Sequence, residues 1–180
     1  MLTACGSNAP KDSKQEEQGA NPTEATVVQQ SSPDIDDLVG EMARYYAASN
    51  KLCDELTKGE LEPSKKDGQA YREYVGDALV ARFRLWKADG GAAVLCVFLS
   101  DYTTTGPGRD RMDFWRFENG ERKQLPTEKM VPGIELNERV EIRKDIDVYY
   151  SDSQLDPDYS YVWNGVDAFI RTENLEGYEE

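Results

Sequence analysis

The chain has 180 residues, with 21 Lys and Arg against 35 Asp and Glu, a net charge of −14 and no histidine. That balance repels phosphate backbones and anionic lipid surfaces and argues against a nucleic-acid partner. Without imidazole, neither a Ser-His-Asp nor a Cys-His triad can form within the chain, and the commonest zinc ligand is missing.

Near the start, Leu2-Thr3-Ala4-Cys5-Gly6 places an apolar residue and two small residues before a cysteine. Small side chains suit a signal-peptidase groove, and the thiol is the nucleophile that takes up lipid. The motif resembles the lipobox of bacterial lipoproteins. The resemblance implies that residues 1–5 are the remnant of a lipoprotein signal and that Cys5 becomes an acylated N-terminus. It also implies that the protein is exported and anchored in the cell envelope, in the periplasm or at the cell surface. Only Met1 stands before Leu2, where the lipoprotein pattern carries a basic run and an apolar run. Each buried methylene contributes about 0.8 kcal/mol, and two or more acyl chains hold firmly. No run of about 20 apolar residues occurs in the sequence, so membrane contact is expected through lipid alone.

Residues 6–32 are rich in Ser, Asn, Gln, Glu, Pro and Ala, with only Val27-Val28 interrupting. Such a segment buries too little apolar area to offset its ordering entropy, and is expected to be a disordered tether. A single globular α+β domain is expected over 33–172, followed by an acidic tail over 173–180.

The domain opens with helical signals. Ser32 suits the N-cap, Pro33 the first helical position, and Asp34, Asp36 and Asp37 the positive end of the dipole. Ile35, Leu38, Val39, Met42, Tyr45, Tyr46, Leu52, Cys53 and Leu56 recur at spacings of three and four, which predicts an amphipathic helix over 33–58 ending at Gly59. Gly40 and Ser49-Asn50 are places where it can bend. Residues 59–69 read as a polar loop.

From about residue 72 the period falls to two. Leu79, Ala81, Phe83 and Leu85 alternate with Val80, Arg82, Arg84 and Trp86. Asp89-Gly90-Gly91 turns the chain, and Ala92–Leu99 returns as an apolar strand covered on both faces. Met112–Phe117, Asn119-Gly120 and Arg122–Leu125 predict a second hairpin. Residues 139–150 read as one amphipathic strand. Val140, Ile142, Ile146, Val148 and Tyr150 share a face that only Lys144 breaks. Tyr159–Trp163, Asn164-Gly165 and Val166–Ile170 predict a last hairpin. The expected fold is therefore α+β: an N-terminal amphipathic helix packed on an antiparallel meander of about seven strands, open to curling toward a barrel.

Chemistry is sparse. Gly-x-Ser-x-Gly, Ser-x-x-Lys and P-loop motifs are absent from the sequence, so no catalytic residue is assigned and a non-enzymatic domain is expected. A hydrolase built on carboxylates alone ranks below it. Tyr149, Tyr159, Tyr161 and Trp163 are candidate ligand-binding residues, able to stack on sugar rings, with core packing as the competing reading. That makes a carbohydrate-binding accessory lipoprotein the alternative function. Asp152, Asp156 and Asp158 are weak calcium candidates beside a plain turn reading, and so is the strand face carrying Glu141, Asp145 and Asp147. No other cofactor is expected. With Cys5 lipidated, Cys53 and Cys96 remain as a candidate disulfide, or as two buried thiols. Its partner is expected to be an unknown protein or a glycan.

Overall fold

A computed structural model describes residues 33–48, 53–58, 62–103, 109–136, 138–150 and 155–173. Helix α1 spans Ile35–Ala47 and α2 spans Cys53–Thr57. The predicted helix over 33–58 is thus two helices, with residues 49–52 between them outside the described set. The N-cap is Asp34, whose carboxylate accepts the Asp36 N–H at 2.8 Å. Asp36 and Asp37 occupy the first turn, where negative charge meets the positive end of the helix dipole. Ile35, Leu38, Val39, Met42, Ala43 and Tyr46 form the buried stripe.

Six strands follow as a meander: β1 Lys65–Asp67, β2 Tyr71–Val75, β3 Leu79–Lys87, β4 Ala93–Asp101, β5 Asp110–Glu118 and β6 Glu121–Leu125. They pair antiparallel in chain order. The β5–β6 hairpin turns at Asn119 (φ 54°) and Gly120 (φ 79°), the pair of left-handed residues that a two-residue hairpin turn requires. Pro126, which lacks an N–H, ends the last strand, and the short helix α3 Thr127–Met130 leads the chain away.

Four more strands, β7 Arg139–Ile142, β8 Ile146–Tyr149, β9 Tyr159–Trp163 and β10 Phe169–Glu173, form a separate antiparallel sheet in the order β10-β9-β8-β7. The seven-strand, barrel-like meander is therefore corrected: the α+β class holds, but the described residues form ten strands in two unclosed sheets. Residues 139–150 are a hairpin rather than one strand. Its register pairs Val140 with Val148 and Ile142 with Ile146. The turn at 143–145 spans an odd number of residues, so the apolar parity survives it. Lys144, the apparent defect in the pattern, is the turn, and its carbonyl accepts the Trp86 indole N–H at 2.8 Å.

Two cores result, on opposite faces of the six-stranded sheet. On one face α1 and Cys53 of α2 pack against Leu79, Ala81, Phe83, Leu95, Val97, Leu99, Trp115 and Phe117. On the other face the second sheet covers Trp86, Val94, Cys96, Phe98, Met112 and Phe114 with Val140, Ile142, Ile146, Val148, Tyr159, Tyr161 and Phe169. Strand β4 contributes alternate residues to both, as its apolar run predicts. Arg72, 3 % exposed, fastens α1 to β2. Its Nε and Nη2 donate to the two Asp36 oxygens at 2.7 and 2.9 Å, and Nη1 donates to the Gly68 and Tyr71 carbonyls. The Arg72 hydrogen bonds hold the Asp36 carboxyl below its ordinary range. No helix among the described residues is long and apolar enough to cross a membrane.

Candidate ligand-binding cleft

The strand parity that builds the inter-sheet core also builds a cleft at one end of it. On the face toward the second sheet, β3 carries Arg82 between Val80 and Trp86, β4 ends in Phe98 and Ser100, and β5 begins with Asp110. These polar positions continue an apolar face past the edge of its cover. With Tyr102, Arg109 and residues 138–141 at the start of β7, they line a cleft of about 380 Å³, within the size range of small-molecule sites.

Its charges are paired. Arg82 Nε donates to Glu73 Oε2 at 2.7 Å, and its guanidinium lies 5.5 Å from the centre of the Phe98 ring. Arg109 Nε sits 3.8 Å from Asp110 Oδ1, with the guanidinium 4.5 Å over the Tyr102 ring. The Ser100 hydroxyl donates to the other side of that contact, at Asp110 Oδ1. Arg139 Nε and Nη2 donate to Glu141 Oε1 at 3.0 and 2.7 Å, and Arg143 pairs with Glu141 Oε2. Burial pushes the Glu73 carboxyl up, but hydrogen bonds from Arg82 and Tyr71 outweigh it and leave it below its ordinary value. Two residues along β3 from Arg82, Arg84 is buried and pairs with Asp67 at 3.2 Å. Its Nε is the buried side-chain nitrogen without a hydrogen-bond partner among the described residues. The cleft thus offers donors and acceptors side by side, an arrangement suited to holding a polar ligand.

The four aromatic candidates do not meet there. Tyr159 and Tyr161 are sealed between the sheets, 1 % and 0 % exposed, with ring centres 5.7 Å apart. The Tyr161 hydroxyl donates to the Pro132 carbonyl. Trp163 packs on Trp86 and Phe169 and donates its indole N–H to the Lys87 carbonyl at 2.9 Å. Tyr149 has the parity of the opposite face, where the Arg139 guanidinium lies 3.9 Å from its ring centre. Core packing accounts for three of the four, and no shared stacking platform forms.

The acidic candidates are likewise engaged. Asp158 Oδ2 accepts the Tyr150 N–H at 2.7 Å, closing a turn. Asp156 is exposed, and Asp152 lies outside the described residues. Asp147 accepts the Ser160 hydroxyl at 2.6 Å, and Glu141 holds two arginines. Among the described residues no group of three or more acids or cysteines is placed to hold a metal. Cys53 and Cys96 are free and buried, one in each core, with the sheet between them. The candidate disulfide is therefore corrected to two separate thiols. Burial pushes Cys53 up to about 11 and Cys96 well above its ordinary value, so neither is a ready nucleophile. Cys5 lies outside the described residues.

Sequence reasoning passed over Ser100, Tyr102, Arg109, Asp110 and Glu138. The available signal was Arg82, a charge at an inward parity of β3. Which end of the strand stays uncovered depends on the second sheet, and no local pattern encodes that. Comparison with protein-family models, with curated proteins and with solved structures finds no match in any of the three.

Proposed function

We propose that the chain is an exported, lipid-anchored protein of the bacterial cell envelope whose folded body binds a ligand without transforming it. The observation that carries the anchor is Leu2-Thr3-Ala4-Cys5-Gly6, followed by a polar stretch that runs to the first described helix. Residues 6–32 are long enough to hold the body clear of a bilayer surface. The binding half of the reading rests on the inter-sheet cleft. There Asp110 faces Ser100 and Arg109, and Glu141 faces Arg139 and Arg143. Carboxylates paired with guanidiniums in this way are fixed in place as hydrogen-bond acceptors for a ligand.

The test is fractionation of natively produced protein against Cys5→Ser. The expected result is wild type in the membrane fraction, extractable by detergent, and the variant in the soluble fraction. Persistence of Cys5→Ser in membranes to the same extent overturns the lipid anchor.

A further inference from the structure

We infer that the cleft between the sheets takes a neutral, hydroxyl-rich ligand, a saccharide. This rests on reading the body as a ligand-binding domain and supplies its ligand class.

The argument begins with charge. Each of the guanidiniums lining the cleft already has a carboxylate: Arg82 has Glu73, Arg109 has Asp110, and Arg139 has Glu141. Glu138 adds a further acid to the lining. The cleft therefore has no surplus positive charge, and it sits on a chain of net charge −14. An anion gains little there, and a polycation meets guanidiniums.

Hydrogen-bonding capacity gives the opposite picture. A guanidinium carries five N–H donors and a carboxylate about four acceptor sites. Arg82 uses its Nε alone toward Glu73, and its terminal nitrogens take no acceptor among the described residues. Arg109 approaches Asp110 only at 3.8 Å, beyond hydrogen-bond range, while stacking on Tyr102. Unused donors thus stand next to acceptors within one cleft.

A hydroxyl is both donor and acceptor. Neighbouring hydroxyls on a sugar ring can engage a guanidinium and its carboxylate together without disturbing their charge balance. Apolar ring surface is also present. Tyr102 is 49 % exposed, and its ring suits the C–H face of a pyranose. A lining this polar gives an apolar ligand nothing to replace the water it displaces.

The experiment uses the full chain on an array of neutral oligosaccharides, followed by calorimetric titration with the best binder. Maltose and N,N′-diacetylchitobiose serve as fixed probes beside inorganic phosphate and spermidine. The expected result is saturable binding of a neutral saccharide. Tyr102→Ala and Arg109→Met, both at exposed positions, each weaken it about tenfold or more, equivalent to about 1.4 kcal/mol. Ile170→Ala, an exposed change on β10 outside the cleft, leaves it unchanged. Circular dichroism checks that every variant is folded. Absence of binding across the array overturns the saccharide, and so does binding that neither cleft variant weakens. Phosphate or spermidine binding that the same two variants abolish also overturns it, while leaving the cleft as a ligand site. The Cys5→Ser fractionation is read independently, so loss of the saccharide and loss of the anchor are told apart.

Discussion

Replacing Phe114 by alanine is expected to lower the unfolding free energy by about 3–5 kcal/mol. Phe114 sits in the middle of β5, fully buried on the face toward the second sheet. Its ring centre lies 5.6 Å from that of Phe169, reaching from one sheet to the other. Truncation removes the transfer free energy of the ring and leaves a cavity. Two hydrogen-bonded sheets cannot close on that cavity without breaking their own ladders, so little of it collapses. Phe114→Leu keeps most of the volume and is expected to cost about 1.5 kcal/mol or less. Urea titration followed by tryptophan fluorescence checks both. A loss below about 1 kcal/mol for the alanine variant would contradict a packed inter-sheet core.

Asp113→Ala is expected to cost about 3 kcal/mol, through a polar mechanism. Asp113 is 8 % exposed on the helix-facing side of β5. It accepts the Tyr46 hydroxyl at 2.5 Å and Gln124 Nε2 at 3.4 Å, and it forms an ion pair with Arg111, whose Nε lies 2.7 Å from Oδ2. The Tyr46 oxygen in turn accepts the Trp115 indole N–H at 3.0 Å. Burial and then the Asp113 hydrogen bond push the Tyr46 hydroxyl far above its ordinary value, so it stays a donor. Alanine deprives that buried hydroxyl of the acceptor for its proton. Arg111 is half exposed and remains solvated, so no buried charge is stranded. Asp113→Asn retains an acceptor and is expected to cost about 1 kcal/mol. A double-mutant cycle with Tyr46→Phe is expected to give a coupling of about 1–2 kcal/mol. Independent, additive losses would show that the contact does not hold α1 to the sheet.

Local patterns read the elements of this chain better than its architecture. The stripe from Ile35 to Tyr46, the apolar β4 and the Asn119-Gly120 turn all follow from spacing and turn chemistry, which are short-range properties. The helix start falls at Asp34 rather than Ser32, because the Asp34 carboxylate reaches the Asp36 N–H. β1 looks like loop in the sequence, since Lys65, Lys66 and Asp67 are all charged and show no apolar alternation, and all three are exposed in the structure. The division into two sheets was not legible. Val140 and Val148 show only that a face is buried, and the surface that buries it lies on residues far away in sequence. The aromatic cluster misleads for the same reason. Tyr159, Tyr161 and Trp163 look like a platform in one dimension, yet they are the filling between the sheets. The resemblance of Leu2-Thr3-Ala4-Cys5 to a lipobox is a local pattern, and the anchor proposed from it does not depend on the fold.

Strand β4 is a floor shared by both cores, with Leu95, Val97 and Leu99 below one and Val94, Cys96 and Phe98 below the other. Peeling away the helices strips one side of that strand, and detaching the second sheet strips the other. Either loss removes cover from a backbone that the remaining layer needs to stay straight. The layers therefore melt together as one cooperative unit, and a protease gains entry to the middle of the chain only when the whole body opens.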